Sequence, residues 1–398
     1  MELNARTKPG AHLVELAEEL ADTFAGTVGD HDRSGTYIRD HLTTLVDHGW
    51  LSAPVPVEFG GRGVRSMHDL LVAASRLARG DAASTIGVSM HVLVVNNRVR
   101  QYLAADAEEQ DALGAALELL VAGRVVMAAA ISEPGQDLTT PSTVAVAEDS
   151  RWRINGTKIF CTMSPAADIF LASVMVRGPK GERYAYVAIP SDSPGVVVHD
   201  DWDALGMRTS GSNSVSFTDV MVDASAFMGG FPSGSTVGYA SSNLASGGFH
   251  AAASLGIAES AHTVAVERLR SRGAVDGSSR SLVADNEVDL HAARAALARA
   301  GTVLDEHDEE FQGRRAGDDD VLAVFGEVQA AKAVVSAAAM RVVDRSLLLS
   351  GGAGFRAGTP LARAVGDVRA LMFMNPLNTT RAATFLTDLA LGASPTLA

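Results

Sequence analysis

The spacing of apolar residues divides the chain into three zones, and the first zone, residues 1–125, has a helical period. Apolar positions recur every three or four residues in VELAEELADTFA, IRDHLTTLVDHGW and DLLVAASRLA. Two further apolar stretches follow, STIGVSMHVLVVNNRVRQYL and DAEEQDALGAALELLVAG. The loop APVPVEFGGRG interrupts the pattern with its prolines and glycines. The first zone is therefore predicted to be an N-terminal helical domain.

The pattern changes to short strands in residues 126–235. Seven runs rich in β-branched residues, among them WRINGTKIFCT, IFLASVMVRG and NSVSFTDVMV, are separated by Gly, Pro, Asp and Ser. No helical pattern lies between them, which disfavours a parallel dinucleotide-binding fold. We predict a central antiparallel β-domain.

Helical periodicity returns in residues 236–398. Three long patterns are followed by a shorter one in NTTRAATFLTDLALG. The third long pattern, VLAVFGEVQAAKAVVSAAAMRVVDRSLLL, carries a continuous apolar stripe, which is typical of a bundle helix. The third zone is predicted to be a C-terminal four-helix bundle, and the whole chain an α+β protein.

Charge and cysteine content narrow the classes of function. The 33 basic and 47 acidic residues give a net charge of −14, and no basic patch is visible, so we expect no nucleic-acid partner. No apolar run reaches the ~18 residues of a membrane span, and the N-terminus lacks a secretory apolar region, so no membrane partner is expected. Cys161 is the only cysteine, which excludes an internal disulfide and a thiolate zinc cluster. We predict a cytoplasmic protein without a metal site.

Five short motifs occur in a fixed order along the chain. They are PVPVEFGGRG, ISEPG, INGTKIFCT, LGMRTSGSNSVSFTDVMV and SGGAGF. In this order and at these separations they resemble the acyl-CoA dehydrogenase superfamily of flavoproteins, over essentially the whole chain. The resemblance implies the same order of helical domain, β-domain and helical bundle. It also implies bound FAD, with FMN as the alternative if the chain is a monooxygenase.

The resemblance assigns four residues to the flavin ring. Phe160 would pack on the isoalloxazine, and Ile131, Ser132 and Thr162 would hydrogen-bond its polar edge. The residues alone favour the alternative that Phe160 is a core strand residue and Ser132 a turn residue, and it is the motif order that reverses this preference.

The resemblance also places Gly351 and Gly352 against the adenosine-diphosphate part of FAD on a neighbouring subunit. Glycine lets a backbone approach a ligand closely, although an ordinary helix terminator has the same sequence. A shared flavin implies a homodimer or a homotetramer.

The carboxylate that dehydrogenases of this superfamily use as general base is missing. By register, its usual position is Asn375, and the second known position falls near Ser246. An arginine of other members is replaced by Gly247. Neither an amide nor a hydroxyl removes a proton from carbon near neutral pH. The segment after ISEPG is also shortened, to QDL at 136–138.

The remaining candidate residues surround the expected substrate pocket. The C-terminal segment resembles a divergent branch that includes flavin-dependent monooxygenases, which commonly carry a histidine at the reacting site. His91, in SMHVLV, is the candidate proton donor, and the alternative is a satisfied core histidine. Asn375 would orient the substrate, and Ser246 and His250 would bind it.

Three functions follow from these observations. The first is an FAD-dependent oxidoreductase that acts on an acyl thioester of coenzyme A or an acyl carrier protein, with an unusual base. The second is a reduced-flavin-dependent monooxygenase on the same scaffold, which needs no α-proton abstraction and takes a small-molecule substrate, with a flavin reductase as partner. The third is a non-catalytic subunit of a heteromeric dehydrogenase.

Overall fold

The N-terminal domain of the computed structural model is helical, as the apolar period predicts. The structure describes residues 2–135, 137–178, 181–273, 275–311 and 316–397, so Gln136 of the QDL segment lies outside the described residues. The helices of this domain span Lys8–Ser34 (α1), Arg39–Asp47 (α2), Met67–Leu77 (α3), Ala82–Ala104 (α4) and Ala107–Ala122 (α5).

Side-chain caps explain where four of these helices begin. Thr7, Ser66, Asp81 and Asp106 each accept a backbone N–H from two or three residues further on. Asp81 is fixed in turn by a hydrogen bond of 2.7 Å with His41 Nδ1. The start of α4, which carries SMHVLV, is therefore firmly positioned.

The central domain is one mixed sheet. Its described strands are Met127–Ala130 (β1), Val144–Glu148 (β2), Arg151–Cys161 (β3), Ile169–Gly178 (β4), Gly181–Pro190 (β5), Val196–Val198 (β6), Asn213–Asp223 (β7) and Phe227–Pro232 (β8). Their order is β6-β7-β3-β2-β4-β5-β8, with β1 also paired to β4. The sequence pattern does not predict β8, which extends the sheet beyond β5.

The prediction of a purely antiparallel sheet needs a correction. β1 and β2 both run parallel to β4, while the other pairs are antiparallel. A parallel pair needs a crossover, and β3 provides it by returning from β2 before β4 begins. The alternation of apolar and polar residues along a strand does not show the direction of the neighbouring strand. The parallel pairs could therefore not be predicted from the sequence pattern.

The C-terminal domain is helical, as predicted. Its helices are Thr236–Ser242 (α6), Ser246–Ser271 (α7), Gly277–Phe311 (α8), Asp318–Ser350 (α9), Pro360–Ala370 (α10) and Thr379–Ala390 (α11). The long helices α7, α8 and α9 pack on one another, and α10 lies against α7 and α9 as a short fourth helix. The apolar period does not predict α6 or α10.

α9 is the central helix of this domain. Within the described ranges, it is the one helix long and apolar enough to cross a membrane by length and composition, over 318–353. Its apolar stripe, however, packs against α7 and α8. The length and composition of α9 are therefore those of a bundle core.

Buried charges join the N-terminal and C-terminal domains. Glu259 on α7 pairs with Arg76 on α3 at 3.3 Å, with Arg79 just after α3 at 2.8 Å, and with Arg294 on α8 at 2.8 Å. Removing one partner of such a buried network leaves an uncompensated charge. The network therefore fixes α3 against the bundle.

Candidate active site

A large cavity of about 1,410 Å³ lies between the three domains. Single ligand pockets are usually about 300–1,000 Å³, so this cavity has room for two organic ligands. Its wall combines α4, the loop after β1, the end of β3, β8, α6 and the start of α7. The loop 202–207, residues from 366 to 381, His307 on α8 and Val321 on α9 also line it.

A buried ion pair fixes the loop that follows β1. Glu133 Oε1 lies 2.6 Å from Lys158 Nζ, which also donates to Ser173 Oγ at 2.8 Å. The carboxylate of Glu133 also accepts hydrogen bonds from Ser142 and Thr143. Burial opposes its negative charge, but Lys158 and these hydrogen bonds lower the pKa of Glu133 to about 2. The pair holds ISEPG against β3.

Sequence reasoning missed Glu133 and Lys158 as site residues, although both lie inside quoted motifs. The available signal was an ionisable residue in each of two otherwise weakly charged segments, because buried carboxylates and ammonium groups are nearly always paired.

Phe160 faces the cavity because β3 is bulged at this point. The register between β3 and β7 shifts between Lys158 and Cys161, and Phe160 has a left-handed φ of 56°. A bulge of this kind re-aims a side chain out of the regular alternation. Phe160 is 60% exposed and packs edge-to-face against Trp202, with ring centroids 6.1 Å apart. It is therefore not a core strand residue.

The other three predicted ring contacts, Ile131, Ser132 and Thr162, also line the cavity. Ser132 Oγ accepts a hydrogen bond of 2.9 Å from Asn375 Nδ2, and the hydroxyls of Thr162 and Ser212 lie 2.9 Å apart. These polar groups line the same cavity as Phe160. A flavin ring stacked on Phe160 would need such hydrogen-bonding groups at its polar edge.

Asn375 is held at this wall by a buried lysine. Lys332 Nζ on α9 donates to the carbonyl oxygens of Met374 at 2.6 Å and Leu377 at 2.7 Å. Tyr239 Oη donates to the Pro376 carbonyl at 3.3 Å. Burial lowers the pKa of Lys332 to about 7. The segment around Asn375 is thus anchored from two elements.

Ser246 and His250 lie one turn apart on α7 and both line the cavity. Among the described residues, Nδ1 of His250 has no hydrogen-bond partner. Burial, together with the charge of Lys332, places the pKa of His250 well below its ordinary value. His250 is therefore a neutral imidazole in the wall.

By the register of the resemblance, the two positions of the superfamily's general base fall at Asn375 and near Ser246, and neither residue carries a carboxylate. Glu133, which also lines the cavity, is paired with Lys158. Asp203 lies at the surface, 3.2 Å from Arg208 Nη1. Asp318, at the start of α9, also lines the cavity and is exposed. None of these three carboxylates is a free buried base.

His91 does not line the cavity, which corrects its expected contact with the substrate. Its Nδ1 accepts the Met127 N–H at 3.0 Å, and burial lowers the pKa of His91 to about 4. Met90 and Leu93, its neighbours on α4, face the cavity instead. One residue turns the side chain by about 100° around a helix. His91 therefore links α4 to β1. This position agrees better with the alternative, a buried core histidine, than with a proton donor to the substrate.

Gly351 and Gly352 lie at the exposed end of α9 and do not contact this cavity. Gly351 has a φ of 64°, and Arg272 donates to the carbonyls of Leu349 and Ser350 just before it. A contact with flavin on a neighbouring subunit stays a prediction.

Guanidinium groups line the cavity as well, and sequence reasoning did not identify them. Arg98 on α4 donates to Gln101 Oε1 at 2.8 Å, and in the described chain no carboxylate lies within ion-pair distance of it. Arg369 at the end of α10 is 2.9 Å from Asp344 Oδ1. Guanidinium groups bind phosphate well. Arg98 is therefore the guanidinium of the two that is a candidate to bind an anion at this wall.

Comparison with known proteins identifies the family. The acyl-CoA dehydrogenase N-terminal, middle and C-terminal domain models match residues 11–128, 128–220 and 238–375. The amino sugar nitrososynthase DnmZ of Streptomyces peucetius is 30% identical, over 97% of this chain and 95% of DnmZ.

Solved structures give the same result. KijD3, in complex with FMN and dTDP-3-amino-2,3,6-trideoxy-4-keto-3-methyl-D-glucose, superimposes with a TM-score of 0.89 at 28% identity, over 99% of this chain and 96% of KijD3. The nitrososynthase from Micromonospora carbonacea var. africana has a TM-score of 0.88 at 27% identity, over 98% of each chain.

The cavity residues fit a flavin. Phe160 and Trp202 offer aromatic faces for a ring system. Ser132, Thr162 and Asn375 offer hydrogen-bonding groups beside them. With this wall, the three matched domains and a relative that spans nearly the whole chain, the protein belongs to the acyl-CoA dehydrogenase superfamily and is a flavoprotein oxidoreductase.

Proposed function

We propose that the protein is a reduced-flavin-dependent monooxygenase that oxygenates the amino group of a nucleotide-linked amino sugar. The observation that carries the proposal is a flavin-type wall whose two expected general-base positions, both among the described residues, hold no carboxylate. Ser246 and Asn375 stand where a dehydrogenase needs its carboxylate, while Phe160, Ser132 and Thr162 line the cavity. Oxygen transfer to an amine needs no proton removal from carbon, so the missing carboxylate is no defect for this reaction.

The relatives support the class of substrate. DnmZ is an amino sugar nitrososynthase, and KijD3 was crystallised with FMN and a dTDP-linked amino sugar. In the present chain, the cavity has room for both a flavin and a second ligand. We therefore favour FMN over FAD, and we expect a flavin reductase as the partner that supplies reduced flavin.

Each part of the wall has a task in this reaction. Bound reduced flavin supplies the activation of molecular oxygen. Phe160 and Ile131 would hold the ring, and Asn375 with Ser132 would hydrogen-bond its edge. Arg98 would bind a phosphate of the flavin or of the substrate. The surrounding helices exclude water from the reacting groups.

The acyl-thioester dehydrogenase hypothesis is the weaker alternative. It needs a general base within hydrogen-bond reach of the substrate carbon. His91, the group expected to replace the glutamate, lies behind the cavity wall and holds the Met127 N–H. His250 lines the cavity, but its pKa lies well below the ordinary histidine value, which makes it a poor base.

The test is a reconstituted reaction. The purified protein is mixed with FMN, a flavin reductase, NADH, oxygen and the dTDP-linked amino sugar found with KijD3. We expect the amine R–NH₂, one O₂ and one reduced flavin to give R–NHOH, water and oxidised flavin. Mass spectrometry with ¹⁸O₂ should show one labelled oxygen on the sugar nitrogen.

Two controls decide between the alternatives. Replacing FMN by FAD tests the choice of flavin. Adding acyl thioesters to the oxidised, flavin-loaded protein without oxygen tests the dehydrogenase. Bleaching of the flavin by a thioester, with the amine unchanged in the aerobic reaction, would reject the proposed function.

A further inference from the structure

Arg98 is a half-buried guanidinium that lines the cavity and has no carboxylate within ion-pair distance among the described residues. Its side-chain hydrogen bond goes to Gln101 Oε1 at 2.8 Å. Burial lowers the pKa of Arg98, and no carboxylate of the described chain opposes this effect. A charge that is partly removed from water without a counter-charge costs free energy. A bound anion would remove that cost.

Helix α4 carries Arg98 away from the flavin-type wall. Near the start of α4, a Cβ atom on Gly87 would come within 3.4 Å of Thr162 Cγ2, so the helix touches a predicted ring contact there. Arg98 follows about three turns later, roughly 16 Å along the same side of α4. Arg100, close by, pairs with Asp308 on α8 at 2.8 Å. The Arg98 end of the cavity therefore lies against the helical bundle.

An apolar stripe joins the two ends. Met90, Leu93 and Val94 line the cavity between Gly87 and Arg98. Apolar side chains favour the carbon face of a sugar that has few hydroxyl groups, whereas a guanidinium favours phosphate oxygens. The order along α4, from the flavin-type wall outwards, thus matches a deoxy sugar followed by phosphate.

We propose that Arg98 binds the diphosphate of the nucleotide-linked substrate, so that the amino sugar lies along the apolar stripe of α4 and points to the flavin. This inference rests on the proposed function and assigns Arg98 to the substrate and not to the flavin phosphate. The separation from Thr162 supports this choice, because it leaves space for a sugar between the ring edge and the phosphates. Gln101 holds one side of the guanidinium, and the other N–H groups of Arg98 remain to donate to phosphate oxygens.

The test compares ligands with and without phosphate on four proteins. The ligand pairs are dTDP with thymidine, titrated into FMN-loaded protein, and FMN with riboflavin. The proteins are the wild type, Arg98→Gln, Arg98→Lys and Arg369→Gln. Arg369 is the matched control, because it also lines the cavity but is paired with Asp344 at 2.9 Å. Isothermal calorimetry gives each affinity.

We expect the wild type to bind dTDP at least about 10-fold more tightly than thymidine. Arg98→Gln should reduce this preference by about 10- to 100-fold, because it loses a charged hydrogen-bond donor, and should bind thymidine like the wild type. Arg98→Lys keeps the charge but not the fork of donors, so it should reduce the preference less. Arg369→Gln should keep the wild-type preference. Arg98→Gln should leave the ratio of FMN to riboflavin affinity unchanged.

Other results would overturn the inference. A lower ratio of FMN to riboflavin affinity in Arg98→Gln would assign Arg98 to the flavin phosphate. An equal loss of affinity for dTDP and thymidine would mean that Arg98 only supports the fold. The same loss of the dTDP preference in Arg369→Gln would mean that any positive charge of the wall has this effect.

The oxygenation assay separates this inference from the proposed function. A wild type that oxygenates the dTDP-linked amino sugar without an Arg98-dependent preference for dTDP would reject the inference alone. An Arg98-dependent preference without an oxygenated product would reject the proposed function alone. A wild type that shows neither would reject both.

Discussion

Asn375 connects the C-terminal segment to the flavin-type wall through one hydrogen bond. Its Nδ2 lies 2.9 Å from Ser132 Oγ, and Lys332 anchors the segment on both sides of it. An amide is no base, but it positions a hydroxyl well. The residue that replaces the glutamate thus shapes the site without proton chemistry.

Asn375→Ala should weaken flavin binding about 2- to 12-fold, because a typical hydrogen bond contributes about 0.5–1.5 kcal/mol. Fluorescence titration with FMN measures the affinity. Asn155→Ala is the control, since Asn155 on β3 bonds Asp219 on β7 at 3.1 Å near the surface and does not line the cavity. Equal affinities in wild type and Asn375→Ala would show that the Ser132 contact does not order the wall.

Lys158→Met should destabilise the protein by about 3–5 kcal/mol at pH 7, because it leaves the buried Glu133 carboxylate without a partner. Glu133 has a pKa of about 2 when folded and 4.5 ordinarily. Its depressed pKa therefore stabilises the fold fully above about pH 4.5, and this contribution is lost as the pH falls towards 2.

Urea unfolding at pH 7 and pH 3 tests this prediction. The difference between wild type and Lys158→Met should shrink at pH 3, where an unpaired Glu133 takes up a proton. Arg177→Met is the control, because Arg177 forms an exposed pair with Glu182 and should cost less than about 1 kcal/mol. If the difference in unfolding free energy between wild type and Lys158→Met is the same at both pH values, the loss of stability comes from side-chain packing and not from the unpaired charge of Glu133.

At the residue scale, the motifs led to residues of the cavity wall, but the helical pattern did not show which helix face lines the cavity. Phe160, Ser132 and Thr162 line the cavity, and their contacts with the flavin ring stay predictions. His91 does not, because SMHVLV is apolar on several sides and its pattern does not show which side faces the cavity. The lowered pKa of His250 depends on burial and on the charge of Lys332 on another helix, which a single sequence does not show.

Among the elements, loop 202–207 and α10 cross with their backbones in contact. A Cβ atom on Gly366 would collide with the carbonyl oxygen of Leu205, and one on Gly206 would collide with Gly366. Asp367 Oδ1 accepts the Met207 N–H at 2.6 Å beside this crossing. The crossing holds the loop that carries Trp202 in the cavity wall.

Gly366→Ala should therefore displace loop 202–207, lower the melting temperature by several degrees and weaken FMN binding. Differential scanning calorimetry and flavin titration measure the two effects. Gly26→Ala is the control, because nothing lies within 4 Å of a Cβ there, and alanine should stabilise this helix by about 0.5–1 kcal/mol. A stable Gly366→Ala with wild-type flavin affinity would contradict this role of the crossing.

At the element scale, long periodic helices were predicted and short ones were not. The apolar patterns of α7, α8 and α9 extend over many turns, so the helical period is evident in each. α6 has 7 residues and β8 has 6. Segments this short do not distinguish the apolar period of a helix from that of a strand. Pairing direction depends on distant strands, which is why the parallel β1–β4 and β2–β4 pairs were missed.

On the scale of the whole molecule, exposed apolar residues mark the end of α9. Leu348 and Phe355 are 71% and 76% exposed, on either side of Gly351 and Gly352. Such residues are common at interfaces between subunits. We expect this end of the bundle to contact a second copy, as the predicted dimer or tetramer requires.

The double variant Leu348→Glu/Phe355→Glu should shift the protein towards the monomer, because two charges would be buried at the interface. Light scattering after size-exclusion chromatography gives the mass. Val57→Glu is the control, with a similarly exposed side chain, 69%, in the N-terminal domain. A double variant with the wild-type mass would place the interface elsewhere.

Three large apolar side chains that line the cavity remain exposed to water. They are Phe160, Leu205 and Phe373, which are 60%, 80% and 74% exposed. Bound flavin or a neighbouring subunit would cover these exposed apolar side chains, and a ligand that binds only the folded state stabilises that state by mass action. A change in the cellular supply of flavin would therefore also change how fast the protein aggregates and is degraded.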